Sequence, residues 1–250
     1  MLFFTDLDGT MIFSHRLVNE SNKDLVYCVE YYNSKPINYM TYSAIDKLKQ
    51  ISGIIPVTTR SIEQLNRVEF FKSSEYAVVC NGGKIIHNGS VDEKWNKHID
   101  SILAEYDLRA VQSIFNNLPK LISKPKIVDG IFVFAKSESP ELCIEILKAK
   151  LNTKIWELVI QGQKVYAIPK IISKGNAIKY ICEQLLEKNQ PVISAGDTTL
   201  DISMLEYTDY SIVPGDSKIA LLPNSKFIRL GSGIDSADKI LEFVLGMSHS

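Results

Sequence analysis

The sequence predicts an α/β protein: a Rossmann-like core built on a parallel sheet, with a smaller α/β unit inserted into it. Three observations carry that expectation. Short apolar runs alternate with helical patterns toward both ends of the chain, the pattern of parallel α/β architecture. Several of those runs end in polar or small residues, and ligands of open α/β sheets gather at the carboxyl ends of strands. Between these regions the apolar pattern turns more alternating, and few residues there carry chemistry. The predicted division is a discontinuous core of residues 1–83 and 168–250, with residues 84–167 as an inserted cap domain.

The first predicted strand, Leu2-Phe3-Phe4, runs directly into Asp6-Leu7-Asp8-Gly9-Thr10. Residues two apart on a strand share a face, so Asp6 and Asp8 can act on one substrate. Gly9 lets the chain leave the strand through φ values that other residues avoid. Two carboxylates this close repel unless a cation sits between them. With a divalent cation present, Asp6 stays ionised as a nucleophile while Asp8 passes protons. The competing explanation is an Asx-type turn, with Asp8 capping the backbone after a strand.

Next, Leu25 to Tyr32 and Ile37 to Met40 flank Asn33-Ser34-Lys35-Pro36 and read as a β-hairpin, a flap beside the Asp6 turn. Thr41 can cap a helix carrying Ala44, Ile45, Leu48 and Ile51 on one face. Ile54 to Val57 is a second buried strand ending in Thr58-Thr59-Arg60-Ser61, followed by a helix with Ile62, Leu65 and Val68. A third strand, Tyr76 to Cys80, ends in Asn81-Gly82-Gly83.

In the inserted stretch, Lys84 to Ile86 and Ile127 to Phe134 read as strands, and Ser101 to Leu118 and Pro140 to Leu151 as amphipathic helices. Ile155 to Ile160 and Val165 to Ile168 complete its small sheet. The parallel pattern then resumes. Ser173 can cap a helix whose stripe is Ala177, Ile178, Ile181, Cys182 and Leu185. Pro191 to Ala195 is a further core strand, ending in Gly196-Asp197-Thr198-Thr199-Leu200-Asp201. Ile212 to Pro214 and Phe227-Ile228 suggest short strands, and Ala237 to Leu245 a closing helix.

Composition narrows the function classes. The chain has 250 residues, 45% hydrophobic and 23% charged, with a net charge of −1. That charge gives no reason to expect a nucleic acid or an acidic membrane as partner. No stretch approaches the ~20 apolar residues that span a bilayer, and the first residues lack the basic and long apolar regions of a signal peptide. The expectation is a cytoplasmic protein that acts on a small molecule, with its oligomeric state undetermined. Cys28, Cys80, Cys143 and Cys182 show no paired-ligand spacing, so free thiols are expected rather than a zinc site.

Four elements thus stand at strand or helix ends: Asp6 with Asp8, Thr58 with Arg60, Lys174, and Asp197 with Asp201. This set, in this order and over nearly the whole chain, resembles the haloacid dehalogenase-like superfamily of phosphatases. Asn81-Gly82-Gly83, Ser173-Lys174-Gly175 and the 196–201 motif are similar to its C2-capped subclass (type IIB, with Cof-like and sucrose-phosphatase-like members). The resemblance implies a Mg²⁺-dependent phosphatase of a small phosphorylated metabolite, a sugar phosphate above all. Asp6 would be the nucleophile, forming an aspartyl-phosphate, and Asp8 the acid and base. Thr58, the Thr59 N–H and Lys174 would bind the phosphoryl group. The metal would be held by Asp6, Asp197 and the Asp8 carbonyl, with Asp201, Arg60, Asn81 and Gly9 in support.

Some positions keep a plainer explanation. Thr58 can simply end a strand, Lys174 can be a solvated residue of a first helical turn, and Asp201 also fits a capping box with Thr198. Arg60 either reaches the substrate or covers a helix start. Two positions depart from the family pattern: Leu200 stands where many relatives carry Asn, and Thr59 where Gly is frequent. A sugar phosphomutase would use the same motifs, and a non-catalytic phosphometabolite-binding protein would keep part of them. Lys84, Tyr166, Tyr31 and Lys35 are candidates for setting specificity.

Overall fold

The computed structural model describes residues 1–185, 190–217, 219 and 227–248. Its chain divides into two compact units, one of residues 1–91 and 173–250 and one of residues 92–172.

The first unit is organised by β1 (Leu2–Thr5), whose Phe3 and Phe4 are fully buried. A strand covered on both faces needs such a continuous apolar run rather than an alternating one. After it come β2 (Phe13–Ser14), β3 (Val26–Tyr32) and β4 (Lys35–Thr41), which form a three-stranded antiparallel flap in the order β2-β4-β3. The predicted four-residue turn narrows to Asn33-Ser34, both at positive φ (49° and 62°), the conformation favoured in two-residue hairpin turns. Lys35 and Pro36 therefore belong to the strand.

Helix α1 (Tyr42–Leu48) follows with Thr41 as its cap, its hydroxyl accepting from the Ala44 N–H at 3.1 Å. Next come β5 (Ile54–Pro56) and α2 (Ile62–Leu65), the latter a single turn started by a reciprocal Ser61–Gln64 capping box. β6 (Tyr76–Val79) meets the parallel sheet through the bridge Val57↔Val78. It pairs antiparallel with β7 (Lys84–His87), which pairs with β8 (Ser90–Val91). This pairing puts residues 84–91, assigned above to the insertion, in the first unit.

The second unit holds α3 (Glu93–Leu103), α4 (Leu108–Asn116), β9 (Lys126–Val128), β10 (Phe132–Lys136), α5 (Pro140–Lys150), β11 (Trp156–Gln161) and β12 (Lys164–Pro169). The helix expected over 101–118 is two helices, because Asp107 caps a new start by accepting from the Ala110 N–H at 2.9 Å. Its sheet is antiparallel in the order β11-β12-β10-β9. Val133, Ala135, Val165 and Ala167 pack with Val111, Phe115, Cys143 and Leu147 of the helices in a separate core. Trp156 still pairs with Pro169, which carries this unit past residue 167 to Ile172.

The chain re-enters the first unit through α6 (Lys174–Leu185), β13 (Val192–Ala195), α7 (Ile202–Leu205), β14 (Tyr210–Pro214), β15 (Ile228–Leu230) and α8 (Ser236–Ser248). Of the expected α6 stripe, Ala177, Ile178, Ile181 and Cys182 are buried; the Leu185 side chain lies outside the described residues. The main sheet is parallel, β15-β14-β13-β1-β5. Phe4 lies opposite Ser194 on one side and Ile55 on the other, so the carboxyl ends of β1, β5 and β13 come side by side. No helix among the described residues is long and apolar enough to cross a membrane. All four cysteines are free thiols.

Candidate active site

Just beyond β1 the Asp6 N–H still donates to Ala195 O of β13, at 2.8 Å. One residue beyond β13, Gly196 N–H donates in turn to Ile212 O. The loops carrying Asp6 and Asp197 thus leave adjacent strands at one level. Gly9 adopts φ +89°, and a Cβ placed on it would stand 2.5 Å from Asp197 Oδ2. The turn can approach the second carboxylate this closely only with glycine. Thr10 Oγ1 donates to Asp197 Oδ1 at 3.3 Å, and Ser217 Oγ holds the Asp197 carbonyl at 2.7 Å.

Asp6, Asp197 and Asp201 each offer a carboxylate oxygen, all within 4.8 Å of one another. Asp201 is fully buried and its oxygens are already engaged. Oδ2 accepts from the Asp197 and Thr198 N–H groups at 3.1 and 2.8 Å and from Thr198 Oγ1 at 2.9 Å. Oδ1 accepts from Lys174 Nζ at 2.5 Å. The capping box read from the sequence is therefore real, and the same carboxylate also anchors the lysine. Asp6 and Asp197 are left with more open coordination, and hard carboxylate oxygens at this spacing suit a small divalent cation.

Lys174 is 1% exposed and bridges Asp6 Oδ1, also at 2.5 Å, to Asp201. This excludes the solvated alternative. Its helix starts at Ser173, whose Oγ accepts from the Asn176 N–H at 3.2 Å. Gly82 lies against the Ser173 carbonyl so closely that no Cβ fits. The Asn81-Gly82 turn thereby fixes where the lysine enters.

The charges explain one another. Burial is the main cause that pushes the Asp6 carboxyl up to about 7; Lys174 opposes the shift, and Asp201 and Asp8 add to it. Burial, then Asp6 and Asp201, push Asp197 up to about 9. Burial disfavours the Lys174 ammonium, but Asp201 and Asp6 outweigh it and keep the amine charged. With three carboxylates and one ammonium the cluster is short of positive charge, which adds to burial in raising Asp6 and Asp197.

Asp8 points to a different partner. Arg60 grips it with two prongs, Nε to Oδ2 at 2.6 Å and Nη2 to Oδ1 at 2.7 Å. The arginine is shielded from open solvent, 9% exposed. Its third nitrogen, Nη1, donates to the Gln64 carbonyl in the first turn of α2 at 3.4 Å and lies 2.9 Å from Glu30 Oε2 on the flap. Sequence reasoning assigns no role to Glu30, although a lone carboxylate within a run of β-formers was a visible signal. Thr58 is fully buried where β5 ends, its hydroxyl accepting from the Arg60 N–H at 3.2 Å and its carbonyl from the Asn81 N–H at 3.0 Å. Thr59, half-buried, follows it. Asn81, nearly fully buried, takes φ 58° in the turn after β6. Leu200 is 4% exposed and packs as an apolar side chain.

Residues 96–230, which include Lys174, Asp197 and Asp201, match the sequence profile of a haloacid dehalogenase-like hydrolase. No curated protein sequence matches the chain. Among solved structures, the sucrose-phosphatase of Synechocystis sp. PCC6803 is similar at 19% identity and a TM-score of 0.68, over 99% of this chain and 98% of that one. The phosphatase BT1666 of Bacteroides thetaiotaomicron is similar at 15% identity and a TM-score of 0.58, over 99% and 94%. The subclass IIB sugar phosphatase BT4131 is similar at 16% identity and a TM-score of 0.58, over 99% and 98%. At these identities the likeness is one of fold.

Proposed function

The chain belongs to the haloacid dehalogenase-like hydrolases, and from that membership we propose a Mg²⁺-dependent phosphatase of a small phosphorylated metabolite. A sugar phosphate is the substrate class we infer, since a sucrose-phosphatase and a sugar phosphatase share the fold. The observation that carries the reading is the convergence of Asp6, Asp197 and Lys174, distant in sequence, on one buried spot. In this reading residues 92–172 serve as the cap that selects the substrate.

Phosphoryl transfer depends mainly on positioning and charge neutralisation. Asp6 and Asp197 carboxylates and the Asp8 carbonyl would hold Mg²⁺, with Asp201 kept for the loop and the lysine. When bound, the cation supplies the positive charge that the cluster lacks and orients the phosphoryl group. Asp6 then attacks phosphorus in line through its carboxylate, and an aspartyl-phosphate forms as the alcohol leaves. Asp8 gives that alcohol a proton and afterwards takes one from the water that hydrolyses the acyl phosphate. Lys174 Nζ, the Thr58 hydroxyl and the Thr59 N–H stabilise the charge that develops on the phosphoryl oxygens. Asp8 must loosen its two-pronged contact with Arg60 to act as an acid, since both of its oxygens accept from the guanidinium there.

Phosphate release from an aryl phosphate tests this. The wild type should require Mg²⁺ and Asp6→Asn should release none. Equal rates in the two proteins would overturn the reading, and isomerised rather than released phosphate would reassign it as a mutase.

A further inference from the structure

We propose that Glu30, on the flap, is a positioning residue that aims Arg60 at Asp8; this rests on the role proposed for Asp8. Glu30 is the buried acid of the flap, with no exposure of its side chain. Such a charge is unfavourable unless paired and hydrogen-bonded. It is met by three donors: Asn38 Nδ2 on Oε2 at 2.6 Å, Arg60 Nη1 on Oε2 at 2.9 Å, and Arg67 Nε on Oε1 at 3.3 Å. Asp8, Arg60, Glu30 and Arg67 thus alternate in charge along one chain of contacts.

The backbone is built to deliver this side chain. Pairing between β3 and β4 is regular except around Glu30, where the register shifts between Cys28 and Glu30 and again between Glu30 and Tyr31. Bulges of this kind re-aim one side chain without ending the strand. The bulged segment is also tied from behind: Glu30 bridges Val68, and the Glu69 N–H donates to the Val29 carbonyl at 2.8 Å. Asn38, from the facing strand, fixes the carboxylate itself. Arg67, stacked on Tyr32 at 4.8 Å from the ring centre, balances its charge from the far side.

The consequence follows from the geometry of guanidinium. Its donors lie in one rigid plane, so fixing Nη1 on Glu30 fixes the directions of Nε and Nη2. Those are the two nitrogens on Asp8. Without the Glu30 contact, Nη1 keeps only its longer 3.4 Å contact with the Gln64 carbonyl, so Arg60 can rotate and meet Asp8 through one nitrogen, and the carboxylate loses its single orientation. Misplacement of a reacting group by about 1 Å can cost on the order of 100-fold in rate.

A double-mutant cycle tests the assignment. Glu30→Gln keeps the shape but leaves one acceptor oxygen for three donors. It should lower kcat for an aryl phosphate by roughly 10-fold or more, in line with such misplacement, with KM nearly unchanged. In an Arg60→Ala background the same substitution should change nothing further, because Glu30 acts through Arg60. A folded Glu30→Gln protein with wild-type kcat, or losses that simply multiply, would overturn the proposal. Should Glu30→Gln not fold, Asn38→Ala carries the test with the same expectation of silence when Arg60 is absent. A second readout needs no turnover: the ¹H–¹⁵N signal of Arg60 Nε–H should be sharp and slow to exchange in the wild type and broadened or shifted in Glu30→Gln. An unchanged signal contradicts the proposal, whereas a wild type without phosphatase activity contradicts only the proposed function.

Discussion

Gly9 and Asp197, 188 positions apart in the numbering, approach so closely that a methyl group on the glycine would stand 2.5 Å from the carboxylate. The glycine of the first loop therefore sets the position of the acid of the last one. Gly9→Ala should remove most Mg²⁺-dependent activity by pushing Asp197 aside. It should also cost stability, since an L-residue at positive φ carries roughly 1–2 kcal/mol of strain. Activity and thermal melting of the variant check both, and near-wild-type activity would contradict the geometry.

Lys174 is the buried cation of the cluster, and its removal leaves the Asp6 and Asp201 charges uncompensated. Lys174→Met should abolish phosphate release and destabilise the fold by about 3–5 kcal/mol at pH 8. Urea unfolding at pH 8 and 5.5 measures this. Part of the loss should return at the lower pH, where Asp6 takes up a proton. Equal stability of wild type and variant at pH 8 would show that the lysine is not required to balance the acids.

In the proposed function, protons and a divalent cation would compete for the same oxygens. Asp6 and Asp197, pushed up to about 7 and about 9 mainly by burial, hold protons in the folded chain that an unfolded chain, with carboxyls near 3.8, has released. Stability from this source is fully present below pH 3.8 and is lost as pH rises through 7 and 9, by up to about 1.4 kcal/mol per pH unit per proton. Mg²⁺ should replace those protons, so the rise in Tm on adding Mg²⁺ should grow between pH 6 and 9. Calorimetric melts across that range check it; a Mg²⁺ effect that shrinks with pH would contradict it.

Much of this arrangement was legible in the sequence because its signals are local. A strand that ends in Asp6-Leu7-Asp8-Gly9 states its own direction, and Thr41, Ser61 and Ser173 mark helix starts by chemistry that acts over three residues. What stayed hidden depends on pairing at a distance. Lys84–His87 carried a strand pattern, but only its pairing with Tyr76–Val79 shows which unit it joins. Asp107 lies inside an amphipathic stretch that reads as one helix, but α3 has already ended at Leu103 and Asp107 caps the start of α4. Arg60 stood in a legible position with an illegible partner: Glu30 is 30 residues earlier, and its inward turn needs a bulge that no residue pattern announced.

The most direct test concerns where a cation sits. Crystals grown with Mn²⁺ as a stand-in for Mg²⁺ should show one anomalous peak at coordinating distance, about 2 Å, from both the Asp6 and Asp197 carboxylates. The peak should vanish in Asp197→Asn. A saturating soak that leaves this place empty, or a peak held by other residues, would contradict the claim that these two acids share one ion.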